Sequence, residues 1–567
     1  MWNLAKLPPV PAPCLPTTID ANDTRGNAAF ALRYGTAAAA AQPDRVAQSP
    51  SSDESKYDDK SATYSKGLKQ KGYGIVDPDV FKAFRQALGT SDGLTLGTMN
   101  FEDPGIILGG YSQQHATPPY YTQLNGPAGA FALPYLGTDA QTFTAPPAFT
   151  VDSIDYALEL IELYWASLLR DVPFTEYRIT PTAIAAANGL TKLLNKYGGH
   201  YYGPVDGSGM VTPDLLFRGG PRQINNKTFF AGEDAGPYVS QLCIQPTRLG
   251  VQDIDQKMQS YLPGVNYLTD LETWYAAQNG EVRDVNVVEG VRRYLHNGRA
   301  LASYTHVDEV YQAYLVAYLV LSSLGMKPNP TNPYAAYKNQ KSFGTFGGPD
   351  IAATFAAVAK AALNAVWYQK WIVHLRHRPE AGAGLVELAM TKPPGVPLPE
   401  AKVHEAVLDS AALYFSQFVN HDFSQSATHG SFLLSQAFPE GSPTHPSYPT
   451  GHGTVAGACI TVLKFFFDGD GIFQHPVVPY VDGLVLEPYA GSENLTVNGE
   501  LHKLAHNISF GHGIHAGIHW RSDTDASIIL GEQVALKFLQ DQVFGYSEKV
   551  KVTITLLNGD PFTIANQ

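Results

Sequence analysis

The sequence predicts a mainly α-helical protein: a large helical-bundle core, an irregular N-terminal arm and a small C-terminal β-hairpin. Three observations lead there. From Ser153 onward, apolar residues recur at three- and four-residue spacing in one segment after another. Residues 1–65 are instead rich in Ala, Pro, Ser and Asp, a composition that does not build a core. The tail KVTITLLNGDPFTIAN alternates apolar and polar residues around Asn-Gly-Asp, which predicts a hairpin near 549–565.

The first helical segment, SIDYALELIELYWASLLRDVPF, places Ile154, Ala157, Leu158, Ile161, Trp165 and Leu168 on one face. Comparable patterns follow at 181–196, 265–277, 306–325, 350–378, 399–420, 451–467 and 525–541. No period repeats. The chain therefore divides into the arm (1–65), a Gly-, Pro- and Thr-rich cap packed on the core (66–150) and a helical domain carrying the chemistry (151–567).

Composition narrows the class. Only 16% of the 567 residues are charged, against roughly 25% in an ordinary soluble domain. Less exterior meets water, as in a large protein with little surface per residue or, the favoured reading, a homo-oligomer, a dimer or larger. A formal net charge of −13 argues against a nucleic-acid partner, although a local cationic pocket can sit in an acidic protein. Cys14, Cys243 and Cys459 make neither a disulfide framework nor a metal-ligand pattern. Nothing reads as a signal peptide or membrane span, so the expectation is a soluble protein with no membrane partner, cytoplasmic by default.

The histidines concentrate the chemistry: 13 of 17 lie at or after His374. Three segments stand out. In QKWIVHLRHRPE, Lys370 and Arg378 are eight residues apart, slightly over two helical turns, so two cations can point to one side; the Arg378-Pro379 pair ends the helix. In THPSYPTGHGTVAGACITVLKFFF, a Pro-Thr-Gly turn precedes an apolar helix. Thr450, Gly451 and His452 thus sit at a helix N-terminus, where free N–H groups and the dipole favour anions. In NISFGHGIHAGIHWRSDTD, His519 and Asp523 are four residues apart, which on a helix sets the carboxylate beside the imidazole. Alone, each has an ordinary alternative: a solvated basic face, a capped core helix, a buried structural histidine. Together they predict a pocket for a phosphate-like oxyanion.

In this order, K-x7-R-P, P-[ST]-G-H and H-x3-D resemble the signature of the vanadium-dependent haloperoxidases and the related acid phosphatases. ALELIELYWASLLRDVPFTEY, LLFRGGPRQ, GPYVSQL, TWYAAQNG, HVDEVYQAYLVAYLVL, FGTFGGPDI and NAVWYQKWIVHLRHRPEA look like the algal and cyanobacterial bromoperoxidase branch, from about residue 20 to the C-terminus. The resemblance implies the haloperoxidase-type helical fold and vanadate as cofactor, with His519 as axial ligand to vanadium. Lys370, Arg378, Thr450 and the Gly451 backbone N–H would hold the equatorial oxygens. His452 would contact the apical oxygen and act as acid/base, Lys370 would polarise bound peroxide, and His445 would influence halide handling. It further implies hydrogen peroxide, halide (bromide foremost) and small organic acceptors as reaction partners. Relatives usually carry Ser at the position of Thr450. Some hold a structural calcium, for which the sequence shows no ligand set.

One element of the signature is absent. The family has an arginine six residues before the axial histidine, where this chain has Gly513. His512 or His515 would have to substitute, giving oxyanion binding that varies with pH between 5 and 8; Arg521 falls off the His519 face. The same segment admits a rival, a divalent-metal triad of His512, His515 and His519 along one helix face, disfavoured by Gly511, Gly513 and Gly517. Two other functions share the pocket: a phosphatase with His519 as nucleophile, and a relative inactivated by loss of the arginine.

Overall fold

Apolar periodicity becomes helix in most of the segments it marks in the computed structural model, which describes residues 27, 31, 34–35, 46–88, 118–134, 136–421 and 430–566. Most of the predicted arm before residue 46, and part of the cap, lie outside the described residues. In chain order the helices are α1 (Asp53–Lys56), α2 (Pro78–Ala87), α3 (Ile154–Leu168), α4 (Pro181–Tyr197), α5 (Leu271–Gln278) and α6 (Gly298–Tyr304). They continue with α7 (Gln312–Ser323), α8 (Gly348–Tyr368), α9 (Pro379–Thr391) and α10 (Ala411–Val419). The last three are α11 (Gly451–Phe466), α12 (Val497–Phe510) and α13 (Arg521–Phe544). Strands among the described residues form only two-stranded ribbons. The last of these, Lys551–Thr555 with Pro561–Ala565, is the C-terminal hairpin that the alternation predicts.

The bundle is organised around α11. Every residue of α11 except His452 is buried, the pattern of a core helix that is apolar all round. It packs on α13 most extensively, then on α8 and α12. Small residues set the α11–α13 spacing. A Cβ on Gly457 would lie 1.9 Å from the Ile528 carbonyl oxygen, and one on Gly531 would lie 2.0 Å from that of Thr454. Backbone meets backbone there, and neither side can yield. Gly457→Ala is therefore expected to destabilise the protein by about 1–3 kcal/mol through overpacking, despite alanine's better helix propensity. A denaturant midpoint equal to or above wild type would contradict this.

The periodicity misplaced several boundaries. The predicted helix 265–277 is only α5, because Asp270 caps it through the amides of Glu272 and Thr273. The 399–420 segment splits into a 3₁₀ turn (Glu405–Val407) and α10, which Ser410 caps. Helices α9 and α12 were missed. In α12 all but Asn498 are buried, Glu500, Lys503 and four other polar residues included, so its polar sequence hides a core helix. The 350–378 segment is helical only to Tyr368. It then widens into a π-helical stretch, Gln369–His374, and ends at Leu375, whose φ is 45°. Pro379 does not stop that helix; it starts α9 at its first position, where no amide hydrogen is needed.

The described stretch 46–68, which composition placed in the arm and the start of the cap, packs on the core. Tyr64 and Leu68 join Val76, Phe81, Phe84, Leu88, Trp371 and Leu375 in one apolar cluster against the π-helical segment. Ser51 Oγ is 3.0 Å from His374 Nδ1, and Thr63 bridges to Arg376. The span Gly348–His374 is the one helix among the described residues long and apolar enough to cross a membrane, by length and composition only. Its end carries Lys370, which is fully buried in protein.

Behind the site, α12 and α13 enclose a charged cluster. His506 Nδ1 lies 2.7 Å from Glu233 Oε2, its Nε2 lies 3.8 Å from Asp525 Oδ1, and Arg222 pairs with Asp525. Burial opposes protonation of His506, but Glu233 and Asp525 outweigh it and raise its pKa above the ordinary 6.5. A raised folded pKa stabilises the protein fully below the unfolded value and progressively less as pH rises through the folded one. Wild-type stability is thus expected to fall from about pH 6.5 upward by a component that His506→Asn lacks. Parallel stability-versus-pH curves for the two proteins would refute this.

Candidate active site

Three chain segments converge at the N-terminus of α11. Lys370 comes from the π-helical stretch, Arg378 from the cap position of α9, and His519 from the turn before α13. Their side chains are all buried. The expected two-turn helical spacing is not what brings the cations together. The π-helical stretch and left-handed Leu375 intervene, and both cations converge on the 445–447 loop instead. Lys370 Nζ donates to the carbonyls of Pro446 and Ser447 (2.8 and 2.7 Å). Arg378 Nε donates to the His445 carbonyl (3.0 Å), and its Nη2 reaches His445 Nδ1 (3.0 Å). Trp367 packs against the His445 ring, with ring centroids 4.9 Å apart.

His519 is not on a helix: it precedes α13, whose N-cap is Trp520. The predicted carboxylate contact forms all the same, with Nδ1 3.0 Å from Asp523 Oδ2. Asp523 also accepts from Arg376 Nη1 (2.7 Å), the Trp520 amide (3.1 Å) and Ser447 Oγ. With Nδ1–H donating to the carboxylate, Nε2 carries the lone pair, and Arg378 Nη1 donates to it at 2.8 Å. Burial first, then Arg378 and Lys370, hold the imidazole well below its ordinary pKa, so it is neutral. That is the form a metal ligand needs.

Thr450 caps α11 without using its hydroxyl: no cap bond forms, and Oγ1 is buried with no partner. Its extra methyl sits by Gly453, where a Cβ would come within 2.7 Å of Thr450 Cγ2. A Cβ on Gly451 would meet only Trp367 and Leu363 among protein atoms, at the ordinary contact distances of 3.5 and 3.8 Å. Helix-end amides and an orphaned hydroxyl at one spot are what an oxyanion satisfies.

His452, on the first turn, directs Nε2 to Asp308 Oδ1 at 2.9 Å, which leaves Nδ1 for the pocket. Its ring stacks on His512 at 3.9 Å, and His512 lies 5.9 Å from His519. His512 Nδ1 is tied to the Thr305 carbonyl at 3.0 Å. Of the two histidines offered as stand-ins for arginine, His512 is therefore in the site.

His515 is not. Its Nε2 meets Tyr238 OH at 3.0 Å, between Phe174 and Phe217. Burial, with Arg170 and Arg521, pushes it down to about 3. Arg521 is committed elsewhere, to Glu162 (Nε to Oε2, 2.8 Å) and to the Arg218 carbonyl (2.8 Å). The three-histidine face does not exist, because a π-helical stretch (Gly511–His515) and left-handed Gly517 break it. Among the described residues, no group of three or more His, Cys, Asp or Glu could hold a metal ion, so the divalent-metal triad is discarded. Sequence reasoning missed Asp308, Ser447 and Arg376. Asp308 and Arg376 lay within bromoperoxidase-like stretches and Ser447 within the Pro-Thr-Gly-His segment, but their contacts cross more than 70 residues of chain.

Charge balance decides what the pocket holds. Asp523 is already paired with Arg376, which also bonds Glu159. Lys370 and Arg378 have only carbonyl and imidazole partners. Burial and Arg378 push Lys370 well below its usual range, and burial takes Arg378 down to about 10. Two buried cations without a carboxylate in hydrogen-bond reach suit a multiply charged anion.

A family model described as the VCPO second helical-bundle domain matches residues 425–544. The chain is 32% identical over 558 residues to the vanadium-dependent bromoperoxidase of Corallina pilulifera, spanning 89% of this chain and 91% of that protein. This chain belongs to the vanadium-dependent haloperoxidases. The Ascophyllum nodosum vanadium-dependent bromoperoxidase is likewise 32% identical over 516 residues, covering 88% of this chain and 86% of that one. The homohexameric structure of a second vanadate-dependent bromoperoxidase from A. nodosum superposes with a TM-score of 0.83 at 25% identity, covering 97% of this chain and 92% of that one. The predicted helical haloperoxidase-type fold is thereby borne out.

Proposed function

We infer that this haloperoxidase binds vanadate in the pocket at the head of α11 and uses hydrogen peroxide to oxidise halide, bromide foremost, to a hypohalous acid equivalent that halogenates organic acceptors. The observation that carries this is the pair of buried cations, Lys370 and Arg378, beside the partnerless Thr450 hydroxyl. Bound vanadate supplies the peroxide activation; the chain supplies charge, donors and proton transfer.

In that reading His519 Nε2 would ligate vanadium, its tautomer set by Asp523. Lys370, Arg378, Thr450 Oγ1 and the Gly451 amide would neutralise and hydrogen-bond the vanadate oxygens. His452 takes a peroxide proton at Nδ1, while Asp308 steadies the resulting imidazolium at Nε2. His445, between Arg378 and Trp367, would flank the halide's approach. His512 lies beside the pocket, but burial first, then His452 and His519, hold it well below its ordinary pKa, so it does not replace the charge of the missing arginine. A phosphatase would use the same cradle with His519 Nε2 as nucleophile. Relatives matching about nine-tenths of the chain are bromoperoxidases, which favours halide oxidation.

Purified apoprotein loaded with orthovanadate should halogenate monochlorodimedone in the presence of peroxide and bromide. No turnover with bromide, chloride or iodide, alongside phosphate-ester hydrolysis, would overturn the reading. We also infer a homo-oligomer: only 16% of residues are charged, and the structural neighbour is a homohexamer. A monomeric mass by light scattering across working concentrations would refute that.

A further inference from the structure

We propose that the buried Lys66–Glu380 ion pair is a positioning device that holds the 440–447 loop in place for the oxyanion. The proposal rests on the vanadate site inferred above. In the structure the loop hangs on the very cations an oxyanion would draw away: Lys370 grips Pro446 and Ser447, and Arg378 grips His445. When those donors turn toward an anion, something else must keep the loop from shifting.

Lys66 and Glu380 are placed for that task, with side chains only 4% and 1% exposed. Lys66 Nζ donates to Glu380 Oε1 and to the carbonyls of Glu440 and Ser442, each at 2.6 Å. Glu380 in turn accepts from the Ser442 amide and hydroxyl, both at 2.8 Å. The carboxylate lies flat against the loop backbone. At Gly441, φ is +65° and a Cβ would fall 2.0 Å from Glu380 Oε2, so only glycine fits. Glu380 is two residues past Arg378, and the Trp274 indole pins its carbonyl at 2.9 Å. The pair thus ties the loop rigidly to the segment that carries Arg378. Neither residue enters the oxyanion cradle, so both act through the loop. Lys66 also makes the N-terminal segment part of the site's support.

The test measures vanadate affinity by equilibrium dialysis and vanadium NMR, with melting curves and circular dichroism alongside. Removing one partner strands a buried charge, so the principal variant is K66M/E380L, which removes both. The double variant should fold, bind vanadate about tenfold more weakly or worse, and shift the bound vanadium resonance. K66R, with E380 intact, should keep most of the affinity. A folded double variant that binds within twofold of wild type with an unmoved resonance would overturn the proposal. Should the double variant not fold, E380Q decides by the same two readouts. Wild-type protein that fails to bind vanadate would overturn the vanadate site itself, and this inference with it.

Discussion

Asp523→Ala is expected to cost about 3–5 kcal/mol of stability and about ten- to a hundredfold in vanadate affinity. Both losses follow from the number of groups this carboxylate satisfies: His519 Nδ1, Arg376, the Trp520 amide and Ser447. Alanine leaves Arg376 buried with Glu159 as its one remaining carboxylate, beside the Ser522 hydroxyl, and frees the imidazole to rotate. Asp523→Asn separates the two effects. An amide N–H facing Nδ1 would move the ring proton to Nε2, blocking the lone pair that metal needs. Asn should therefore lose affinity nearly as far as Ala while losing less stability. Denaturant melts and vanadate titrations check this; an Asn variant with wild-type affinity would remove Asp523 from its proposed role.

Gly513→Arg is expected to weaken vanadate binding rather than restore the family's third cation. A Cβ at this position would sit 3.2 Å from His519 Cβ and 3.7 Å from Thr524 Oγ1. The first is tighter than ordinary contact, and the neighbour pressed is the residue proposed to ligate vanadium. Overpacking of this kind costs about 1–3 kcal/mol, and a third cation beside Lys370 and Arg378 adds like-charge repulsion before any anion binds. The apoprotein should be destabilised and vanadate affinity should fall by about tenfold or more. His512, already stacked on His452, fills the region in its place. If the arginine variant bound vanadate more tightly than wild type, the site would be an incomplete family pocket rather than one rebuilt around glycine.

Much of the fold was legible. Periodic apolar spacing located α3, α4, α11 and α13 because their burial follows their own pattern, and alternation located the hairpin. Helices α9 and α12 escaped for opposite reasons. α9 begins at a proline that read as a stop, and α12 carries polar residues such as Glu500 and Lys503 that pair with each other inside the core at 2.6 Å. A one-dimensional pattern counts both as solvent-facing. Helix 350–378 was drawn too long because a π-helical stretch keeps the same apolar composition as the α-helix before it.

The identity of the candidate site residues was set by the sequence alone: Lys370, Arg378, Thr450, Gly451, His452 and His519 lie in three short motifs whose order is specific. So was the gap at Gly513. Only the tertiary structure decided how they meet, and it used different geometry from that expected, with loop carbonyls, a π-helical stretch and a pre-helical turn in place of helix faces. It also chose between the histidines, drawing His512 into the pocket and enclosing His515 among aromatic rings. The physical reason is that motif spacing carries residue type and local backbone preference, whereas the supporting pairs join segments far apart in the chain: Asp308 with His452, Arg376 and Ser447 with Asp523, Lys66 with Glu380. Their contacts are selected by how the bundle closes.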